Sequence, residues 1–411
     1  MRRIVKWLLR LLLLLLVAAG GFALFVQVAG IPRYRAPTLD LHVEVTPVRV
    51  ERGRRFASML CAECHIDPST RELTGKRLAD LPTEFGPVFS RNITQDRQHG
   101  IGAWSDGELA VLLRTGIGRD GRYLPAYMPK FPALSDEDLA SVIAFLRSGD
   151  KLVEARAKDP PGRSQPSFLT KLLTRTVMRP LPLPTAPIAN PPAGDRLALG
   201  RYLARDALLC FACHSADFKT NNDLQPERSP GYFGGGNLMP NLDGRLIVTS
   251  NLTPDPSGFG TWTEADFVRA MRTGFRPGAD GATIGHRLMR YPMVPYPDLS
   301  DEELGAIYTY LRTLPVLPTR FAATPEPDYG GRSPLVLYHK YGCHGCHGEN
   351  GVGLADLSRA TAHYPSDEAL TAWVRNAPKL KPGTKMPMFD GLIDEADYPP
   401  LLTHIRGLAK P

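Results

Sequence analysis

All six cysteines of this 411-residue chain lie in three pentapeptides of one form, Cys-x-x-Cys-His. Their residues are Cys61, Cys64 and His65, then Cys210, Cys213 and His214, then Cys343, Cys346 and His347. This is the attachment signature of c-type haem, in which two thiols add to the porphyrin vinyl groups and the adjacent imidazole reaches the iron. The motifs therefore predict three covalently bound haem c groups, each with its motif histidine as an iron ligand.

Paired cysteines also occur in thiol redox pairs, zinc sites and structural disulfides. A redox pair does not need the following histidine, and a zinc site needs further ligands at finger or ribbon spacing. Disulfides leave the three histidines unexplained. The motifs therefore favour haem over these alternatives.

Methionine and histidine are the usual second ligands of a six-coordinate haem, and the first segment offers a single methionine. Met128 is the only methionine between His65 and Arg147. It lies eight residues before Asp136, where a helix is predicted to begin. Met128 is therefore the predicted distal ligand of the first haem.

An internal repeat selects the ligand of the second haem. Four segments recur, namely 90–96 with 249–255, 102–105 with 260–263, 114–116 with 272–274 and 134–139 with 299–304. The eight-residue offset, counted back from Asp301, gives Met293. The competing methionines of this segment are Met239, Met271 and Met289.

The same offset extends to the third segment. Counted back from Asp394 it gives Met386, with Met388 as the runner-up. Histidine ligation is the alternative in every segment, with candidates His99, His286, His363 and His404. The predicted metal ligands are thus His65, Met128, His214, Met293, His347 and Met386, and no catalytic residue is predicted.

Helices dominate the expected secondary structure. Ser135 and Ser300 are predicted N-caps, because each precedes acidic residues that favour a first helical turn. The apolar spacing from Leu139 to Leu146 is helical. With 38 glycines and 39 prolines, long sheets are not expected. The fold class predicted is mainly α.

Two kinds of polar or aromatic residue recur in the first and second segments. Asn92 and Asn251 occupy matching places, as do Trp104 and Trp262. These side chains either contact the haem and its propionates or serve as ordinary turn and core structure. The sequence leaves both roles open.

The N-terminus predicts a membrane anchor. From Leu11 to Ile31 the chain is apolar except for Gln27, and 21 helical residues reach about 30 Å, the hydrocarbon thickness of a bilayer. Cleavage as a signal peptide after Gly30 is the alternative. Four basic residues before the span favour a cytoplasmic N-terminus, with residues 32–411 outside the cytoplasm.

The repeated elements resemble those of a known family. Ser-x-Asn-Ile/Leu-Thr-x-Asp, Gly-x-Trp-Ser/Thr and Arg-Thr-Gly, set between a haem motif and a methionine, are similar to those of the multihaem membrane-bound cytochrome c subunits of bacterial alcohol, sugar and gluconate dehydrogenases. The resemblance covers about residues 45–315, and the third segment resembles a generic class I cytochrome c domain. It implies three class I cytochrome c domains that pass electrons from a periplasmic dehydrogenase subunit to membrane quinone or a terminal oxidase.

The predicted organisation is one N-terminal transmembrane helix followed by three class I cytochrome c-like helical domains in tandem. The boundaries are 1–42 for the anchor and lead-in (span 11–31), 43–150 for domain 1, 151–193 for a Pro-rich linker, 194–316 for domain 2, 317–333 for a second linker and 334–411 for domain 3. Within the first linker, residues 168–173 predict a short amphipathic helix that lies on the membrane surface or on a neighbouring domain.

Two functions are compatible with these residues. In the first, the protein is an electron-transfer subunit without catalysis of its own, and its redox partners are a dehydrogenase donor and a quinone, oxidase or cytochrome acceptor. In the second, one haem has an open coordination site and acts as a peroxidase-like enzyme or small-molecule reductase. Nucleic acid is not an expected partner, because beyond residue 30 the chain has 45 basic and 42 acidic residues.

Overall fold

The fold was analysed in a computed structural model that describes residues 2–67, 70, 72–78, 81–240, 246–277, 284–287, 289, 292–321, 331–348, 350–351, 355–381, 384 and 386–409. The described chain is mostly helical, as predicted. Its helices are α1 (Arg2–Ala29), α2 (Pro47–Leu60), α3 (Ala62–His65), α4 (Asp106–Thr115), α5 (Asp136–Leu146), α6 (Phe168–Thr176), α7 (Arg196–Arg201), α8 (Cys210–Cys213), α9 (Glu264–Thr273), α10 (Asp301–Leu311), α11 (Pro334–Lys340), α12 (His344–His347), α13 (Ala360–His363), α14 (Asp367–Leu380) and α15 (Tyr398–Leu408).

In the part of the chain that the structure describes, the strands are short and form two antiparallel pairs. The first pair joins β1 (Leu238–Pro240) to β2 (Leu246–Val248), with Met239 opposite Ile247. The second joins β3 (Phe275–Pro277) to β4 (Ile284–Arg287). Both pairs lie within the second repeat, and the first repeat holds only isolated bridges in its described part.

Helix α1 is long and apolar enough to cross a bilayer, the one such helix among the described residues. It begins at Arg2, nine residues before the predicted span of 11–31 begins. It ends at Ala29, two residues before that span ends. Val26 is its only buried side chain.

The first and last helices of the first repeat, α2 and α5, cross at very close range. A Cβ added to Gly53 would lie 1.9 Å from the carbonyl oxygen of Ser141 on α5. Only glycine allows the two backbones to approach this closely. Ser135 caps α5 as predicted, by accepting a hydrogen bond from the amide of Asp138.

The second repeat builds the same crossing from α7 and α10. A Cβ on Gly200 would lie 1.8 Å from the carbonyl oxygen of Ala306. Between Gly200 and the motif, residues 202–207 form a π-helical segment that ends before Leu209, whose φ is +53°. The predicted N-cap Ser300 forms a full capping box with Glu303.

The two repeats share one apolar core and are joined by polar contacts. The phenol of Tyr202 donates to the buried carboxylate of Asp138 and accepts from the amide of Ser135 at 3.1 Å. Arg55 donates to Glu303 and, at 3.0 Å, to the carbonyl oxygen of Asp298. The first helix of each repeat therefore contacts the start of the last helix of the other.

The third segment has a separate apolar core. Helix α11 packs on α15, and Leu337, Tyr338 and Leu401 are fully buried between these and neighbouring elements. Asp394 precedes α15 rather than starting it, because residues 395–397 form a 3-10 turn. Phe275 of the second repeat joins this core with its ring 6.0 Å from that of Phe389.

Candidate haem sites

Each motif stands at the end of the first helix of its segment. Cys61 closes α2 and opens the short helix α3, which ends at His65. The second motif forms α8 after the π-helical segment, and the third forms α12 after α11. All six cysteines are partly buried. The sequence therefore places each attachment motif at the same point of a similar helical frame.

The three motif imidazoles are held in the same way. In each, Nδ1 lies within hydrogen-bond distance of a backbone carbonyl, and because a carbonyl only accepts, Nδ1 carries the proton. The lone pair is then on Nε2, which is the nitrogen that this arrangement presents to a metal. The pairs are His65 with Arg91 at 2.7 Å, His214 with Ser250 at 2.8 Å and His347 with Ala355 at 2.9 Å.

Burial adjusts the protonation of these groups. It lowers the pKa of His65 and of His214, which favours the neutral imidazole that an iron ligand requires. It raises the pKa of Cys210 to about 12 and that of Cys213 to about 11. An environment that disfavours a thiolate suits an uncharged thioether. The residues therefore fit covalent haem.

A clustered metal site is absent from the part of the chain that the structure describes. No group of three or more His, Cys, Asp or Glu side chains there is arranged to hold a metal ion. The zinc alternative requires such a group.

The predicted distal methionines lie in the same apolar cores as their motifs. Met128 and Met293 are partly buried against the shared core, which Cys61 and Cys210 also contact. Met386 is partly buried against the third core, together with Cys343. Met386 thus lies at the core of the third segment, whereas Met128 and Met293 lie at the one core that the first two repeats share.

The competing methionines differ in their surroundings. Met271 and Met289 are buried in the shared core, so burial does not distinguish them from Met293 as candidate ligands. Only the repeat offset favours Met293. Met239 lies on β1. Met388 is 42% exposed, and its sulfur accepts a hydrogen bond from Asn376 at 3.4 Å.

The alternative histidines have varied surroundings. Nδ1 of His99 lies 3.0 Å from a carboxylate oxygen of Asp96. His363 is exposed, and the ring of His404 lies 4.7 Å from that of Tyr338. The side chain of His286 lies outside the described residues.

The two asparagines anchor the chain that follows the last helix of each repeat. Asn92 donates to the carbonyl oxygens of Arg156 at 2.8 Å and Lys158 at 2.9 Å. Asn251 donates to the carbonyl oxygen of Leu317 at 2.6 Å and to the side-chain hydroxyl of Thr319 at 3.1 Å. Their amide groups therefore serve turn structure, which was one of the two roles left open.

One buried arginine in the first repeat fixes the segment between Met128 and α5. The guanidinium of Arg114 donates to the carbonyl oxygens of Phe131 and Pro132, each at 3.1 Å, and to that of Leu134. It also pairs with Asp136 at 2.8 Å. The sequence marks Arg114 as part of a repeated motif but gives no sign of this role.

The second repeat uses its matching arginine identically. Arg272 donates to the carbonyl oxygens of Pro297 at 3.3 Å and Leu299 at 2.9 Å, and it pairs with Asp301 at 2.7 Å. The Arg-Thr-Gly motif therefore holds the chain between the candidate methionine and the last helix in both repeats.

Comparison with known proteins identifies one domain of the chain and several similar proteins. The cytochrome c family model matches residues 197–315. The fructose dehydrogenase cytochrome subunit of Gluconobacter japonicus is 26% identical over 77% of this chain and 63% of its own length. The cytochrome c subunit of alcohol dehydrogenase (quinone) from Gluconobacter oxydans is 26% identical over 66% of this chain and 55% of its own.

A third relative is similar in extent. The gluconate 2-dehydrogenase cytochrome c subunit of Pantoea cypripedii is 29% identical over 64% of this chain and 59% of its own length. The chain therefore matches less than two thirds of each of these three relatives. The chain therefore contains a cytochrome c domain at residues 197–315, and it is similar to the cytochrome c subunits of fructose, alcohol and gluconate dehydrogenases.

Proposed function

We propose that this chain is a membrane-anchored cytochrome with three haem c groups that transfers electrons between an exported dehydrogenase and an acceptor in or near the membrane. The observation that carries the proposal is the common geometry of His65, His214 and His347. Each imidazole is fixed at Nδ1 by a carbonyl 2.7 to 2.9 Å away, in a tautomer suited to an iron ligand.

Three haem domains are part of the proposal. They comprise residues 43–150, 194–316 and 334–411, joined by linkers 151–193 and 317–333, of which residues 322–330 lie outside the described residues. The matching glycine crossings of the first two repeats support two of these domains. The separate core around α11 and α15 supports the third.

Met128, Met293 and Met386 are the proposed distal ligands. Bound haem supplies a one-electron couple, and ligation by a thioether raises its reduction potential. In the first two repeats the residues that would hold the haem are a fixed imidazole and a methionine in a segment braced by an arginine. A full ligand set leaves little access to the iron for small molecules, which favours electron transfer over catalysis.

The anchor and the partners are proposed on different grounds. Helix α1 has the length and hydropathy of a membrane span, and its flanking charge favours haem domains on the periplasmic side of the inner membrane. The names of the relatives support a dehydrogenase as the donor. The acceptor belongs to one of three classes, a quinone, an oxidase or a soluble cytochrome.

The test is a haem count combined with an optical redox titration of the detergent-solubilised full chain. We expect three haems per chain, all low-spin, with the charge-transfer band of ferric Met-ligated haem and no carbon monoxide adduct after reduction. A haem that is high-spin or binds carbon monoxide would overturn the pure electron-transfer function and make that haem the site of a peroxidase-like or reductase activity. Fewer than three haems would overturn the three-domain organisation.

A further inference from the structure

Helix α6, in the linker between the first two repeats, lies against the end of the apolar helix α1. Lys171 places its ammonium group 3.1 Å from the side-chain oxygen of Gln27. Arg175 donates to the carbonyl oxygens of Gly30 at 2.8 Å and Ala29 at 2.9 Å. Two basic residues of α6 therefore bind the last turn of α1 and satisfy carbonyl groups at its C-terminus.

Helix α6 also contacts the first repeat, and it does so through polar side chains. Thr170 and Thr174 are fully buried. The hydroxyl of Thr170 donates to the carbonyl oxygen of Phe85 at 3.1 Å, and the Ser167 hydroxyl donates to the carbonyl oxygen of Glu84. The sequence predicted that this helix lies either on the membrane surface or on a neighbouring domain. In the structure α6 docks on the first repeat, and it does so through threonines.

The apolar residues of α6 differ in exposure. Leu172 and Leu173 are partly buried, whereas Phe168 is 43% exposed, Leu169 is 44% exposed and Val177, directly after the helix, is 69% exposed. A helix on the surface of a soluble protein buries its apolar side chains and exposes its polar ones. In α6 the fully buried side chains are threonines and two large apolar side chains are exposed, which indicates that this part of its surface meets an apolar medium.

The position of this face identifies the medium. Leu24 and Val28, in the last turns of α1, are exposed and apolar, as expected for side chains that contact lipid. Helix α6 is bound to residues 27–30, the level at which a membrane span would leave the hydrocarbon. Exposed Arg35 and Arg179 nearby in the chain carry the charge that attracts anionic headgroups.

We propose that α6 is an interfacial membrane helix whose exposed apolar side chains Phe168 and Leu169, together with Val177 directly after the helix, lie at the boundary between headgroups and acyl chains of an anionic bilayer. The inference rests on the proposed anchoring of the chain through α1. Contact with lipid at two places, α1 and α6, fixes the orientation of the first repeat relative to the membrane, which a single flexible anchor would not do.

The test uses a photoactivatable amino acid, p-benzoylphenylalanine, introduced into the full chain reconstituted in vesicles of phosphatidylethanolamine and phosphatidylglycerol. Positions Leu169 and Val177 probe α6. Leu224 and Val316, which are 53% and 58% exposed, are matched controls far along the chain from α1. We expect a mass shift of one phospholipid at the two α6 positions and no such shift at the controls.

A probe at Leu13, within the span of α1, separates the two proposals. Lipid adducts at Leu13 without adducts at Leu169 or Val177 overturn the interfacial helix and leave the anchor intact. Loss of the Leu13 adduct, with α1 absent from the mature chain, overturns the anchor and this inference together. Crosslinks from the α6 positions to a protein rather than to lipid also overturn it.

Discussion

The phenol of Tyr202 donates a hydrogen bond to the buried carboxylate of Asp138 across the boundary between the two repeats. Its counterpart is the contact of Arg55 with Glu303. Tyr202 and Arg55 each follow the crossing glycine of their repeat by two residues, and Asp138 and Glu303 are each the third residue of a last helix. The two repeats are therefore paired by an approximate two-fold relationship that the differing residue types conceal.

Replacement of Tyr202 by phenylalanine should weaken this pairing. Burial and the charge of Asp138 raise the pKa of Tyr202, so the phenol is a protonated donor at neutral pH. Tyr202→Phe leaves the Asp138 carboxylate without that donor, at an expected cost of about 1–3 kcal/mol. We expect a lower melting temperature and faster hydrogen exchange in α5 as well as α7. Tyr308→Phe, which loses a bond to Trp262 within the second repeat, is the control, and equal exchange in α5 for both variants would contradict the prediction.

A methyl group at the helix crossing should disrupt the second repeat. The Cβ of Gly200→Ala would lie 1.8 Å from a backbone oxygen, so α7 and α10 must separate. Overpacking typically costs about 1–3 kcal/mol, and a clash with backbone is at the upper end of that range or above it. We expect a lower melting temperature and reduced haem content. Gly149→Ala, with open space at its Cβ, is the matched control and should match the wild type.

Much of this arrangement is local and therefore predictable from sequence. The haem motifs, the N-caps Ser135 and Ser300 and the offset to each methionine depend on short spacings. The equivalence of Tyr202 and Arg55 does not, since Gly53 precedes its motif by eight residues and Gly200 by ten. The π-helical segment at 202–207 absorbs the two extra residues, so alignment on the cysteines hides the equivalence.

The arginine of the Arg-Thr-Gly motif shows a second limit. Its partners in the first repeat are mostly backbone carbonyls, which any residue type supplies, so no pattern of side chains indicates them. The recurrence of the motif is a signal that the residue matters, but its contacts follow only from the fold. The same holds for Asn92, whose two donated bonds go to carbonyls more than sixty residues away.

Loss of Arg114 should loosen the first candidate methionine segment. Arg114→Lys keeps the charge but lacks the planar fork that reaches several acceptors at once, leaving buried carbonyls between Phe131 and Leu134 unsatisfied. We expect the ferric methionine band of one haem to disappear at a lower pH than in the wild type, in an optical pH titration. Arg119→Lys, on an exposed residue, is the control. An unchanged titration would show that Arg114 does not position Met128.

The ligand of the third haem distinguishes two neighbouring methionines. Met386→Ala should abolish the methionine charge-transfer band of one haem, lower its midpoint potential and allow carbon monoxide to bind. Met388→Ala should leave all three properties unchanged, because this side chain is largely exposed and its sulfur is engaged by Asn376. The reverse result would assign the iron to Met388.

The buried carboxylate of Asp397 predicts how the stability of the third segment depends on pH. Its oxygens lie 2.6 Å from the hydroxyl of Tyr341, 3.1 Å from the ammonium group of Lys340 and 3.0 Å from the guanidinium of Arg332. Burial alone would raise the pKa of Asp397, but these donors and charges together lower it below its usual value. The charged form is therefore the form that the fold stabilises.

A group with a lowered pKa in the folded state contributes stability above its unfolded pKa, which is about 4 for aspartate, and loses that contribution as the pH falls through the folded value. Asp397→Asn should therefore lower the melting temperature of the third segment at pH 7, by an amount that shrinks as the pH falls below about 4. Asp390→Asn is the control, since its exposed pair with Arg375 at 3.4 Å contributes at most about 1 kcal/mol. A difference between Asp397→Asn and the wild type that stays constant from pH 7 to pH 3 would show that the charge of Asp397 does not stabilise the fold.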